Sequence, residues 1–296
     1  VSHTDIDEAE IEASRAPLMS HLIELRGRLL ICVVAFALAF IGCFYFAADI
    51  QLILIHPFQA ASAMHAAAGA NGHHVSPFDL IAVTAGLKPV PAGGQGVVQL
   101  IATAPLEQLF TKMKIAGFGA VVVAFPVLAW QLYRFVAPGL YRNEKGAFLP
   151  FLIAAPLLFL MGAALVYFVM LPFVMWFSLG QQVTGDGVSV ALLPKISEYL
   201  NLVTALLLAF GLCFQLPIVM TLLGMAGIIS SKVMSEGRRY AIVAVVVVAA
   251  VVTPPDPISQ LMLAIPLVLL YEISIWCVRL IELRRNKRDI AEGLAV

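Results

Sequence analysis

Charged side chains cut this chain into long stretches that hold none, and that spacing decides what the chain can fold into. Long uncharged runs include 29–48, 50–78, 115–133, 146–185, 199–231, 240–255 and 257–271. A helix needs about 20 apolar residues to cross the hydrocarbon of a bilayer, and several runs reach that length. A soluble fold is excluded by what is missing. Of 296 residues, 18 are Lys or Arg and 18 are Asp or Glu, 12% in all, where an ordinary soluble domain carries about 25%. The residues AVILMFWYC supply 61%, a surplus of apolar side chains that needs lipid as solvent. Zero formal net charge speaks against nucleic acid as a partner, and four cysteines are too few for a disulfide-stapled scaffold.

Residues 29–48 and 115–136 each fit one span. Run 146–185 predicts a span over 148–171, closed by Pro172 and followed by an interfacial segment. Run 199–231 predicts a span over 200–224 and a loop from about Gly227. The Pro254-Pro255-Asp256-Pro257 cluster cannot continue a helix, so it separates two short spans, 240–253 and 258–277. Run 50–78 is rich in Ala and Gly and holds His56, Pro57, His73, His74 and Pro77. It reads as part of an extended outer loop, 49–114, rather than as a span. The expected fold is an all-α integral membrane protein with six transmembrane helices over 17–279, between an acidic tail at 1–16 and a basic tail at 280–296.

An even number of spans puts both termini on one side, together with the loops 134–146 and 225–239. That side holds Arg15, Arg26, Arg28, Arg134, Arg142, Lys145, Lys232, Arg238, Arg239 and five cations between Arg279 and Arg288. The other side holds only Lys88, Lys112, Lys114 and Lys195. The positive-inside rule therefore places both termini in the cytoplasm. The acidic start of the chain gives no sign of a cleavable signal peptide.

Four segments carry polar groups worth weighing. In Pro17–Leu30, Leu18, Leu22, Leu25 and Leu29 form one helical stripe, and His21, Glu24 and Arg28 share another face. This predicts an amphipathic interfacial helix running into the first span, with Glu24 and Arg28 either an ordinary i,i+4 pair or part of a binding face. In Phe135-Val-Ala-Pro-Gly-Leu-Tyr-Arg-Asn-Glu144, the Pro138-Gly139 turn brings Phe135, Tyr141 and Glu144 together near the headgroups. Gln215, in mid-span, needs a polar partner. That partner is either a backbone carbonyl freed by Pro217 or a neighbouring transmembrane helix. Asp256 sits in the outer turn, where it can cap the helix that follows, and Glu272 lies near enough to an interface to snorkel outward. Cys32, Cys43, Cys213 and Cys277 read as small apolar residues, and the scattered histidines offer no metal-ligand spacing. No metal, cofactor or catalytic motif is expected, and the chain is not expected to be an enzyme.

Ser20–Leu29, Phe135–Glu144, Phe210-Gly-Leu-Cys-Phe-Gln-Leu-Pro217 and Thr253-Pro-Pro-Asp-Pro-Ile-Ser-Gln260 together resemble TatC, the core receptor subunit of the twin-arginine protein translocase. The similarity runs from about Pro17 to Arg279. It implies a non-enzymatic membrane receptor that binds twin-arginine signal peptides of folded cargo in a bacterial cytoplasmic membrane. It further implies assembly with TatA-type and TatB-type single-span subunits, self-association in a multimeric complex, and transport driven by the proton-motive force. Carried over, the peptide-binding residues are Glu24 and Glu144, with Arg26 and Phe135 beside them and Pro138, Leu140 and Tyr141 shaping the loop. Gln215 would be an intramembrane contact to a partner subunit, and Asp256 part of the outer turn. Two features depart from the pattern. Residues 64–99 lengthen the first outer loop, and Gln215 stands where the family often has a titratable Glu. The competing reading is a secondary transporter of a small solute, with a polar path through Gln215, Glu272 and Asp256.

Overall fold

The computed structural model describes residues 3–71, 76–89, 100–136, 148–185, 188–190, 194–252 and 257–291. Among these residues eleven helices run in chain order: α1 (His3–Tyr45), α2 (Ala47–Asn71), α3 (Pro77–Thr84), α4 (Glu107–Val136), α5 (Phe148–Leu165), α6 (Leu171–Gly180), α7 (Ile196–Cys213), α8 (Leu216–Met225), α9 (Ser231–Glu236), α10 (Arg238–Val252) and α11 (Pro257–Ala291). A π-turn, Val166–Met170, joins α5 to α6. Between α6 and α7 lies a small antiparallel ribbon of β1 (Val183–Gly185) and β2 (Val188–Val190), with Val183 opposite Val190.

Among the described residues, five helical segments are long and apolar enough to cross a membrane: Ile23–Tyr45, Glu107–Arg134, Leu152–Gly180, Ile196–Met225 and Gln260–Arg284. The sixth expected span corresponds to α10, which has 15 residues. At 1.5 Å per residue it reaches about 22 Å, short of the roughly 30 Å hydrocarbon core.

Several boundaries differ from the sequence expectations, each for a local reason. Residues 49–114 are not one extended loop, because α2 and α3 occupy much of them and α4 begins at Glu107. Alanine is the strongest helix former, and the alanines taken as loop markers are the packing face of α2: Ala60, Ala61, Ala63 and Ala67 are all buried. Pro172 does not close its helix. The π-turn ahead of it lets the amide of Leu171 reach back to the carbonyl of Val166, and the chain continues to Gly180. The segment expected as a basic tail continues α11 to Ala291, and the acidic N-terminal tail is the start of α1.

Prolines inside helices each remove one backbone donor. Pro57, within α2, leaves the carbonyl of Ile53 without its usual partner. The Tyr167 hydroxyl, from the π-turn, donates to that oxygen at 2.7 Å, and the Tyr199 hydroxyl, from α7, donates to the next carbonyl, Leu54, at 2.8 Å. Two phenols thus tie the bend in α2 to the helical core. That core joins the π-turn, α6 and α7 through Val166, Leu171, Val203, Leu206 and Phe210, with Leu54 and Phe58 from α2 packed against them.

Close helix approach relies on glycine. A β-carbon on Gly162 would lie 2.7 Å from the Phe210 carbonyl oxygen, and one on Gly211 would lie 2.5 Å from the Phe159 ring. These two contacts, reciprocal across α5 and α7, press the helices together and set them antiparallel. Gly224 meets Val278 in the same way where α8 crosses α11.

Around the start of α4, Glu107 organises a polar corner. Its buried carboxylate accepts the backbone N–H groups of Thr103 at 2.7 Å and Ala104 at 3.1 Å. It also accepts the Ser197 hydroxyl at 2.5 Å, and the Lys195 ammonium stands 4.0 Å away. A parallel bridge between Ile101 and Lys195 and a Lys114–Asn201 hydrogen bond of 3.1 Å hold α4 and α7 at the same level. Beside α3, Lys88 holds the Asp79 carboxyl below the usual carboxylate range through a 2.6 Å hydrogen bond.

Gly162→Ala is expected to cost about 1–3 kcal/mol, since the Phe210 backbone must shift to admit the methyl group. Tyr199→Phe is expected to cost about 0.5–1.5 kcal/mol by removing the hydroxyl's hydrogen bond to the Leu54 carbonyl. Thermal unfolding of the purified variants in detergent checks both, and wild-type behaviour of Gly162→Ala would contradict the close crossing.

Candidate functional site

Helix α1 packs along α4, and contacts at two levels far apart show the two helices antiparallel. Cys43 faces Gly119, and Phe40 faces Gly117. Farther along, the Arg28 guanidinium donates to the Gln131 carbonyl oxygen at 3.4 Å. One turn back along α1 from Arg28 is Glu24, and one turn forward along α4 from Gln131 is Phe135. The register therefore sets these two positions level with each other at the same end of the helix pair. Phe135 belongs to the last turn of α4, ahead of Val136. Pro138, Leu140, Tyr141 and Glu144 follow it and lie outside the described residues, as does Asp256.

Glu24 pairs with Arg28 on its own helix, i to i+4. The partners are not equally accessible: the Glu24 side chain is 41% exposed and that of Arg28 15%. The carboxylate is therefore the more open of the two to solvent, while Arg28 is turned towards α4. A carboxylate accepts through two oxygens and about four lone-pair directions, so the intrahelical pair leaves it acceptor capacity. Arg26 is exposed beside it. The surroundings are basic, with Arg134 closing α4, so Glu24 is an acidic position in a positive neighbourhood.

Gln215 is buried and both ends of its amide are occupied. The chain breaks between α7 and α8, where Gln215 is the residue just before α8 and Pro217 lies in its first turn. That break turns the amide inward. Its nitrogen donates to the Ala155 carbonyl oxygen of α5 at 2.9 Å, and its oxygen accepts the Tyr133 hydroxyl of α4 at 3.4 Å. Of the two partner types expected for Gln215, the structure supplies a backbone carbonyl of a neighbouring helix and a phenol, all within this chain. Around them pack Phe125, Ala129, Phe159 and Ile218, with Phe125 and Phe159 stacked at 4.1 Å.

Glu272 takes a cross-helix partner. Arg238, at the start of α10, reaches both its oxygens, with Nε and Nη2 each 2.9 Å from one of them. Among the described residues no group of three His, Cys, Asp or Glu stands together as a metal site.

Three arrangements were not foreseen from the residues: the Glu107 corner, the phenols on the Pro57 bend, and the Arg238–Glu272 pair. A signal existed for the second, since a proline in an alanine-rich run implies a freed carbonyl. The others needed the helices placed against each other.

Residues 20–266 match the family described as Sec-independent protein translocase protein (TatC). The chain is 39% identical over 278 residues to the Sec-independent protein translocase protein TatC of Magnetococcus marinus, covering 94% of this chain and 89% of that one. It is 36% identical over 277 residues to the protein of the same description from Aquifex aeolicus, covering 94% of this chain and all of that one, 100%. A crystal structure of a twin-arginine translocase receptor, TatC, superposes with a TM-score of 0.67 at 34% identity, over 88% of this chain and 98% of the other.

Gln215→Leu is expected to lower stability by about 1–3 kcal/mol, because the Tyr133 hydroxyl loses its acceptor in a buried site. Adding Tyr133→Phe should recover part of that loss. Equal or additive destabilisation in the double variant, measured by thermal unfolding in detergent, would contradict the coupling.

Proposed function

The chain belongs to the TatC family of Sec-independent protein translocase proteins, multi-pass membrane proteins of protein transport, and from that premise we propose that it is the receptor subunit of a twin-arginine translocase. It takes twin-arginine signal peptides of folded precursors at the end of the α1–α4 pair where Glu24 lies. It assembles with TatA-type and TatB-type single-span subunits, and with further copies of itself, in the cytoplasmic membrane of a bacterium. Transport by the assembly draws on the proton-motive force. In this reading α10 is a sixth, short span that thins the bilayer locally, both termini are cytoplasmic, and the basic ends of α4, α10 and α11 face the cytoplasm.

The observation that carries the proposal is the register of α1 on α4. It sets Glu24 level with Phe135, the residue from which the chain leads to Glu144. Two carboxylates, one from each segment, match two guanidinium groups one for one. Arginine suits such a site because its planar fork bonds a carboxylate in a bidentate manner, and the pairing strengthens where water is partly excluded. Arg28 holds Glu24 in place until a signal arginine arrives. Arg26 and Phe135 flank the peptide, and Pro138, Leu140 and Tyr141 shape the loop around it. Gln215 serves partner assembly indirectly: its ties to Ala155 and Tyr133 fix the faces of α4, α5 and α8 that a single-span helix would meet.

The small-solute transporter reading needs a continuous polar path. Gln215 and Glu272 are instead each engaged within the chain, and neither leads to the other.

Glu24→Ala and Glu144→Ala are each expected to weaken photo-crosslinking of a twin-arginine peptide in membranes by about tenfold or more, as loss of one charge-assisted contact implies. The double variant should abolish it. Retained crosslinking in a folded double variant would overturn the site assignment.

A further inference from the structure

Away from the α1–α4 end, the short helix α9 and the adjoining ends of α10 and α11 border a half-open cavity of about 430 Å³. Lys232, Ser235, Glu236, Arg238, Trp276 and Arg279 line it. Its charge is uneven in an informative way. Arg238 is held as a fork on Glu272. The other nearby acid, Glu282, is taken by Ser231, whose backbone N–H it accepts at 2.8 Å and whose hydroxyl it also accepts. Lys232 and Arg279 are exposed and pair with no acidic side chain among the described residues. Two uncommitted cations and the Ser235 hydroxyl thus converge on one cavity with a single uncommitted carboxylate, Glu236.

The cavity lies where apolar surface gives way to charge. Ile265, Leu269, Ile273 and Trp276 fall on one face of α11 at helical spacing, and all four are exposed. This stripe runs from the cavity along a membrane-crossing segment. An indole at such a boundary marks the headgroup level. A molecule that fills the cavity and lies on the stripe has an anionic head and apolar tails.

We propose that this cavity binds the phosphate headgroup of an anionic phospholipid of the phosphatidylglycerol type. Lys232 and Arg279 take the phosphate, Ser235 donates a further hydrogen bond, and Trp276 covers the first methylenes of the acyl chains. Glu236 then has a role that a bare phosphate would not give it: it accepts from the headgroup's glycerol hydroxyls. The Arg238–Glu272 fork fixes α10 against α11 and so preserves the shape of the cavity. The proposal is independent of the signal-peptide reading, because no residue is shared between the two sites.

Native mass spectrometry of the full chain in detergent tests it, with phosphatidylglycerol, phosphatidylethanolamine and inorganic phosphate titrated separately. One phosphatidylglycerol is expected to be retained, and its affinity should fall about 25-fold in K232Q/R279Q, at roughly a factor of five per cation. The control R284Q/K287Q removes the same charge from exposed positions farther along α11 and should leave affinity unchanged. All four side chains are exposed, so both variants are expected to fold, which gel filtration checks. Equal losses in the two variants would overturn the proposal in favour of diffuse surface attraction. No loss in K232Q/R279Q, or retention of phosphatidylethanolamine as strong as that of phosphatidylglycerol, would also overturn it. Inorganic phosphate that displaces phosphatidylglycerol at equal concentration would assign the cavity to the free anion instead.

Discussion

In hydrocarbon a backbone has no water to turn to, so every N–H and C=O must find its partner within the protein. That constraint shapes this molecule at three of its helix prolines. Pro57, Pro172 and Pro217 each remove a donor, and the chain answers each in a different way. At Pro57 two phenols from other elements take the carbonyls of Ile53 and Leu54. At Pro172 the helix widens into a π-turn and continues. At Pro217 the helix breaks, and the break aims Gln215 at α5 and α4. Bends that would be weak points become the places where helices are joined.

The same ties position the end of the α1–α4 pair proposed to take the signal peptide. Reciprocal close contacts at Gly162 and Gly211 lock α5 to α7. Gln215 then links that pair to α4, and α4 carries α1 in a register that runs from Cys43–Gly119 to Arg28–Gln131. Glu24 is held at a defined height because α4 is. At the start of α4, Glu107 binds the entering loop and the beginning of α7 together.

Much of this was legible from where charges are absent. Leu29–Tyr45, the body of α4 and the α7–α8 unit follow directly from uncharged runs of sufficient length. The family resemblance rested on short motifs, and the match over residues 20–266 bears it out. What the residues did not reveal is instructive. Alanine signals a helix by propensity and a loop by low hydropathy, and α2 shows propensity prevailing because its alanines are packed. Pro172 looked like a terminator because a π-turn has no sequence signature of its own. Arg238 and Glu272 are 34 residues apart, so their pairing depends on how α10 folds back on α11. For the site, Glu24 and Phe135 were named from motifs, but their common level depends on a helix register that no local pattern encodes.

The central claim is that acidic side chains at the α1–α4 end receive an arginine pair by direct charge contact. Competition binding on the Glu144→Arg variant tests this most directly, with the native signal peptide set against one whose two arginines are replaced by acidic residues. Direct contact predicts an inverted preference, with the acidic peptide bound better than the native one. An unchanged order of preference, with the variant folded and membrane-inserted, would contradict it.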